Sequence, residues 1–402
     1  MRILLINVLC KSGSTGKITY DLYDEYKKQG HEVKICYGRG NVMDNSDTYK
    51  FTTKPEFYLH TLSTRLTGYV GKGSYFATKR LIRYIKNFAP DVVHLHNIHG
   101  YYVDAYMLLG YLKGSGVRVV FTMHDEWIFT GKCGYAYDCE RWRIGCGKCP
   151  QLSEYPKSWL FDRTAWEYKR KSEIFAELES LVIAPVSNWL KERAERSLYL
   201  SDKRFKTVYN GVDIQIFTPS SHEHIKDTWI IPDEKILLHV TPNFYDPRKG
   251  GQYILELAER LLDLNVKIII VGATLHASAP PKNIIAIGRT ENQTELATFY
   301  SLADITLLTS EKETFSMICA ESLCCGTPIV GFEAGAPSEV VPVPYGYFVP
   351  FGDIDRLEEC VRSALAGEIV LADSQKCENF GKSRYAKQVM AENYFEIYCG
   401  EV

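Results

Sequence analysis

Two glutamates, Glu313 and Glu321, stand eight positions apart in the run Glu313-Thr-Phe-Ser-Met-Ile-Cys-Ala-Glu321-Ser-Leu-Cys-Cys-Gly326-Thr-Pro328. Ile318, Leu323 and Cys324 mark the buried face of a helix, Gly326 supplies a left-handed cap and Pro328 prevents continuation. The helix therefore starts between Phe315 and Met317, directly after the apolar run Ile305 to Leu308. The backbone N–H groups of a helix start over Phe315, Ser316 and Met317, with the positive end of the helix dipole, suit a diphosphate. Carboxylates are misplaced for binding phosphate but well placed to accept hydrogen bonds from sugar or ribose hydroxyls.

A second chemical block, Asp246-Pro-Arg248-Lys249-Gly250-Gly251, follows the apolar run Ile236 to Val240. Cations at a helix start oppose the helix dipole, so a role there is more economical than decoration: they could neutralise a departing diphosphate. Near the N-terminus, Ser12-Gly13-Ser14-Thr15-Gly16-Lys17 opens a helix after the first apolar run, without the spacing of either a P-loop or a dinucleotide fingerprint. Histidines gather at strand ends: His94, His96 and His99, then His124-Asp125 after Val119 to Met123. A lone histidine is more often structural than catalytic.

Four of the twelve cysteines, Cys133, Cys139, Cys146 and Cys149, fall in a Gly- and aromatic-rich insertion with spacing C-x5-C-x6-C-x2-C. Four thiolates could close a structural zinc site with no open position, a reading set ahead of free or disulfide-paired cysteines. The other thiols, with no secretory signal before them, read as reduced and cytoplasmic.

These groups must be positioned by a regular scaffold. Short apolar runs (Ile3–Ile6, Val33–Tyr37, Val92–Leu95, Val117–Met123, Leu181–Val186, and a strand ending near Tyr209) alternate with helical patterns, the first from Thr15 to Gln29. A second series follows: Ile236–Val240, a helix from Gly250 to Leu262, Val266–Val271, Ile284–Ile287, Ile305–Leu308 and Ile329–Phe332. Such alternation predicts parallel sheets with crossover helices, hence an α/β chain of two doubly wound units. The expected division is an N-terminal domain at 1–212 carrying the Cys-rich insertion 131–150, a linker at 213–232, a second domain at 233–383, and a C-terminal helix at 384–402 packing back toward the first domain. At 402 residues, 46% hydrophobic and 24% charged, two cores are expected. The net charge of −2 gives no general pull toward nucleic acid. Lys79, Arg80, Arg83 and Lys86 are interleaved with Leu81, Ile82, Tyr84 and Ile85, which suits either a solvated helix face or a basic amphipathic helix on anionic lipid. No stretch is long enough to span a bilayer.

The block from Glu313 to Glu339 resembles the E-x7-E region of glycosyltransferase family 4, and Val208-Tyr209-Asn210-Gly211-Val212-Asp213 with Phe217 and Pro219 resembles its hinge signature. The resemblance spans nearly the whole chain. It implies a GT-B fold, two Rossmann-like domains facing across a cleft, and a retaining, metal-independent hexosyltransferase with a nucleotide-sugar as substrate and no catalytic cofactor. By the same resemblance Glu313 contacts the donor sugar, Glu321 holds the ribose, Lys249 with Arg248 meets the diphosphate, Gly16 approaches the phosphates, and His124 faces the reacting sugar and acceptor. The sequence has Thr314-Phe315-Ser316 where the family commonly has Gly-Phe-Gly, and Phe244 where many relatives have arginine. The implied acceptor is a saccharide, lipid-linked in surface-polysaccharide synthesis, which would place the protein in the cytoplasm at the inner face of the membrane. The rival readings are a non-catalytic sugar-nucleotide sensor with a zinc-stabilised loop, and a GT-B epimerase or phosphorylase.

Overall fold

The computed structural model describes residues 1–221, 234–274 and 280–401, so residues 222–232 of the expected linker lie outside it. The chain divides into two compact units, Met1–Tyr209 with Met390–Val402, and Asn210–Val389.

In the first unit seven parallel strands are ordered β3-β2-β1-β4-β5-β6-β7: β1 (Arg2–Asn7), β2 (Glu32–Tyr37), β3 (Thr48–Lys50), β4 (Val92–Leu95), β5 (Arg118–Met123), β6 (Leu181–Pro185) and β7 (Arg204–Phe205). Ile3 to Ile6, Val93 and Val119 are fully buried, as strands covered on both faces require. β7 is only two residues long and ends before the expected Tyr209. The strand order reverses beside β1, between β2 and β4, so the loops after β1 and β4 diverge at a crevice where ligands of such sheets bind. Helix α1 (Gly13–Lys28) leaves the first of these loops; α2 (Lys54–Thr67) starts with a Thr53–Glu56 capping box, and α3 (Tyr75–Phe88) carries the basic run. Leu81 and Ile85 are buried in the unit, and Arg80 binds the Phe51 carbonyl and Glu56, so the apolar face that α3 would have turned to lipid is spent in the core instead.

The second unit repeats the design with six parallel strands ordered β10-β9-β8-β11-β12-β13: β8 (Lys235–Val240), β9 (Val266–Val271), β10 (Ile284–Ile287), β11 (Ile305–Leu308), β12 (Ile329–Phe332) and β13 (Gly346–Val349). Leu237, Ile268, Ile270, Leu307 and Val330 pack with Ile254 and Leu257 of the Gly251–Arg260 helix and with Leu357 and Val361 of the Ile354–Ala366 helix. Here the strand order reverses beside β8, between β9 and β11. The loops after β8 and β11 therefore face each other, and they carry the Lys249 and Glu313 blocks.

The C-terminal segment is not one helix from 384. A helix at Ser374–Tyr385 ends at Ala386, whose ψ of 140° is extended, and a new helix runs from Lys387 to Cys399. Its later residues belong to the first unit: Tyr26 donates to the Ala391 carbonyl at 2.8 Å, His94 Nδ1 meets Tyr398 Oη at 2.6 Å, and Thr122 Oγ1 meets Tyr394 Oη at 2.6 Å. His94 also meets Thr122 Oγ1 through Nε2 at 2.6 Å, so both nitrogens of a fully buried imidazole are satisfied. Tyr398→Phe would leave one nitrogen unpaired. It is expected to cost about 1–3 kcal/mol in denaturant unfolding; no loss would show that the helix is not pinned there.

Candidate functional site

Lys249 and Glu313 meet directly: the ammonium Nζ lies 2.8 Å from Glu313 Oε1. Sequence spacing alone could not bring together residues more than sixty positions apart; the adjacency of β8 and β11 does. The supporting contacts are backbone-based. Thr309 Oγ1 donates to the carbonyls of Lys249 and Gly250 at 3.2 and 3.1 Å, and Glu311 N–H donates to the Arg248 carbonyl at 2.9 Å. Gly250 has a φ of +67°, and a Cβ there would stand 2.0 Å from the Thr309 carbonyl oxygen, so this position requires glycine. Glu313 is anchored on its other side, its N–H donating to the Ala334 carbonyl at 2.6 Å and its carbonyl accepting from Ala336 N–H at 3.1 Å. Arg248 is engaged elsewhere: it forks onto Asp246, Nε to Oδ1 at 2.9 Å and Nη2 to Oδ2 at 2.6 Å.

The helix after Glu313 runs from Met317 to Cys324. Met317 is half-buried at its first position. Phe315 is buried edge-to-face against Tyr385, which leaves its backbone rather than its ring to meet a ligand. Ser316, at φ +75°, occupies a left-handed conformation that glycine adopts without strain. Glu321, in the middle of the helix, accepts from Tyr300 Oη at 3.2 Å.

In the first unit Gly16 lies in the first turn of α1 with its Cα against the loop after β1; a Cβ would be 3.2 Å from Leu9 Cβ. His124 follows β5 and is stacked on His96, with its Nε2 3.0 Å from His96 Nδ1, so one imidazole donates and the other accepts. Burial lowers His124 to about 4, so it is neutral at pH 7. Asp125 serves a different histidine: its Oδ2 is 2.7 Å from His99 Nε2 and its Oδ1 accepts from Trp127 N–H at 3.0 Å. Burial opposes ionisation of Asp125, but the charge and hydrogen bond of His99 outweigh it and hold the carboxyl below its ordinary range. Lys171, fully buried, donates to the Trp127 carbonyl at 2.6 Å and fixes the same loop from beneath.

The four-cysteine zinc expectation is not supported. Cys133, Cys139, Cys146 and Cys149 do line one small hollow. Yet among the described residues no group of three or more His, Cys, Asp or Glu side chains is arranged to hold a metal ion. The sulfurs have other partners: Cys146 Sγ accepts from Gly131 N–H at 3.1 Å, Cys149 Sγ accepts from Gln151 N–H at 3.4 Å, and the Cys133 thiol is hydrogen-bonded to Cys149. The insertion is held instead by Lys132, whose buried ammonium donates to the carbonyls of Leu152, Glu154 and Pro156 at 3.2, 2.9 and 2.8 Å.

Several neighbours escape a reading by motif. Thr309 and Tyr300 hold Lys249 and Glu321 from elements that carry no chemical signature, and His96 looks like any core histidine. A groove at the carboxyl ends of β8, β9 and β10, lined by Thr241, Gly272, Arg289 and Asn292, belongs to the second unit. Only the rule that such sheets bind ligands beyond their strand ends could have found it.

Two doubly wound parallel sheets, with paired cation and carboxylate loops at one strand-order reversal, define the class: a glycosyltransferase of the GT-B fold. The chain belongs to glycosyltransferase family 4, whose model matches residues 15–216, half of the chain, while the model for glycosyl transferases group 1 matches residues 199–387. It is 24% identical to the colanic acid biosynthesis glycosyl transferase WcaC of Escherichia coli over 99% of each chain, and 22% identical to the N-acetyl-alpha-D-glucosaminyl L-malate synthase of Bacillus anthracis over 87% of this chain and 84% of that one. Among solved structures, Anabaena HepE in complex with UDP-glucose shares the fold over 100% of both chains, with a TM-score of 0.66 at 14% identity.

Two outcomes are expected from this geometry. Ser316→Gly relieves the left-handed strain and should stabilise the protein by about 1 kcal/mol, read as a raised unfolding midpoint; an unchanged midpoint would mean that serine is not strained there. Burial holds His60 and His124 at about 4 and lowers His94 and His96 well below the usual 6.5. Below pH ~6.5 the unfolded chain takes up protons that the folded chain refuses, so stability falls as pH drops from about 6.5 toward 4, by ~1.4 kcal/mol per pH unit for each histidine. Urea midpoints at about pH 7 and pH 5 should differ accordingly, and equal midpoints would contradict neutral burial.

Proposed function

We propose that this glycosyltransferase moves a hexose from a nucleotide-sugar to a saccharide acceptor, lipid-linked and destined for a surface polysaccharide, with retention at the anomeric carbon and without a catalytic metal ion. The observation that carries this reading is the 2.8 Å pair of Lys249 and Glu313. In that pair a cation and a hydroxyl-binding carboxylate sit side by side, as a sugar diphosphate needs at the bond to be broken. The donor's diphosphate takes Lys249 and the free N–H groups of Ser316 and Met317, its sugar hydroxyls take Glu313, and its ribose takes Glu321. The nucleoside lies in the groove of Thr241, Gly272 and Arg289. Lys249 neutralises the charge that grows on the diphosphate as the anomeric bond breaks, with Arg248 adding positive potential from the same loop. The acceptor hydroxyl attacks the anomeric carbon from the face that the diphosphate leaves, and His124 of the first unit serves the acceptor. With its pKa near 4, His124 is a weak base, so its part is to orient that hydroxyl, whose proton passes to the departing diphosphate oxygen as the new glycosidic bond forms. The setting is supported by WcaC, whose name places it in colanic acid biosynthesis, and the donor class by the UDP-glucose held by HepE.

Donor binding is expected to raise the unfolding midpoint with one of the UDP-, GDP-, ADP- or TDP-sugars, by mass action. With that donor, Glu313→Gln should lower transfer by roughly 10²–10³-fold while nucleotide affinity stays within about threefold. Equal loss of nucleotide binding would contradict the role given to Glu313, and loss of turnover in chelator would contradict metal independence. Determining the anomeric configuration of the product by NMR tests retention.

A further inference from the structure

The first unit carries a surface that the transfer chemistry does not use. Helix α2 is built inside out: Tyr58, Leu59, Leu62 and Leu66, at helical spacing along one face, are 66, 66, 48 and 40% exposed, while the side turned inward holds His60 and Thr64, both buried. Beside its C-terminal end stand three consecutive exposed apolar residues, Trp159, Leu160 and Phe161, at 57, 66 and 50%. Soluble surfaces scatter such residues singly; a run of three beside an apolar helical stripe marks an interaction site. The two segments are fastened together. Trp159 N–H donates to the Arg65 carbonyl at 2.7 Å, the Arg65 guanidinium lies 5.2 Å from the Trp159 ring centre, and Arg163 lies 5.3 Å from that of Phe161.

Charge identifies the partner. Residues 54–88 hold seven Lys and Arg against a single acid, Glu56, which Arg80 pairs at 2.5 Å, in a chain whose net charge is −2. Lys72, Lys79, Arg83 and Lys86 are exposed, and α3 is held beside α2 through His60 Nδ1 and Ser74 Oγ at 2.9 Å. A cationic face of this kind repels a second copy of itself across a two-fold interface, whereas anionic headgroups satisfy the cations and the acyl boundary accepts the aromatic and leucine side chains. We propose that the α2 face and the Trp159–Phe161 loop dock the protein onto an anionic lipid bilayer, with Trp159, Leu160 and Phe161 entering the headgroup boundary. The surface adjoins the acceptor end of the first unit: Phe57 of α2 lies 6.3 Å from Tyr101, in the loop after β4 that also carries His96 and His99. A lipid-linked acceptor would thus be met where it is anchored, and in that respect the inference deepens the proposed function.

Flotation of the full-length protein with phosphatidylcholine vesicles, with and without phosphatidylglycerol, tests the proposal. Binding is expected only with the anionic vesicles, and to fall with added salt. The combined Trp159→Ser, Leu160→Ser and Phe161→Ser variant should lose on the order of tenfold or more in vesicle affinity. Lys79→Glu and Arg83→Glu should each lose roughly fivefold or more. All should retain the far-UV spectrum and the donor-induced thermal shift of the parent, which shows that they fold. No vesicle binding, equal binding to neutral vesicles, or a concentration-dependent dimer abolished by the triple variant would overturn the proposal. Intact flotation with no donor response would leave the surface standing and sink the transfer reading instead.

Discussion

The contact between Lys249 and Glu313 is held at its position by backbone rather than by the two side chains. β8 and β11 are neighbours because the strand order reverses there, and the loops leaving them are tied by Thr309 to the Lys249 and Gly250 carbonyls and by Glu311 to Arg248. The missing side chain at Gly250 lets the two loops approach to contact distance. A partly exposed ion pair of two long side chains contributes little on its own. Here the loops are already locked, so the pair costs little entropy to form and keeps a cation and a carboxylate aligned. The left-handed Ser316 and the helix start at Met317 complete the same corner of the unit.

The first unit solves a different problem, holding polar groups at strand ends inside a dry core. His94 is satisfied by Tyr398 and Thr122, His124 by His96, and Asp125 by His99 and the Trp127 amide. Burial keeps His94, His96 and His124 neutral, because a charged ring there would lose its hydration without a compensating anion. Lys171 beneath Trp127 and Lys132 beneath the 152–156 loop play the complementary part, each ammonium spent on main-chain carbonyls of segments that have little regular structure of their own. The Cys-rich insertion is therefore held by a lysine where four cysteines had suggested a metal.

Much of the scaffold was legible because buried parallel strands announce themselves as short apolar runs. β1, β2, β4, β5, β6 and β8 to β12 all lie where those runs fall, and the helix after Glu313 begins at Met317, within the expected window. β3 and β13, at sheet edges, are half-exposed and lack the continuous apolar signature, so periodicity passes over them. The break at Ala386 was equally hidden. No glycine or proline marks it, and it follows from main-chain bonds on either side of the break, between Val212 and both Tyr385 and Lys387, that only the folded chain can make. For α3 the alternation of cations and apolar residues was read correctly as amphipathic, but pattern cannot say whether the apolar face meets core or lipid.

By itself the sequence determined which chemistry the chain could perform: two glutamates at family spacing, a cation pair after a strand, a histidine at a strand end. These are properties of residue type and local periodicity, and they survive without tertiary contacts. Only the folded structure decided the partnerships, that Lys249 faces Glu313, that Arg248 is taken by Asp246, and that Asp125 serves His99 while His96 serves His124. Only the folded structure turned the apolar stripe of α2 outward. The reason is one of range: hydrogen bonds and ion pairs act over a few ångströms, and strand order rather than separation along the chain determines which side chains come that close.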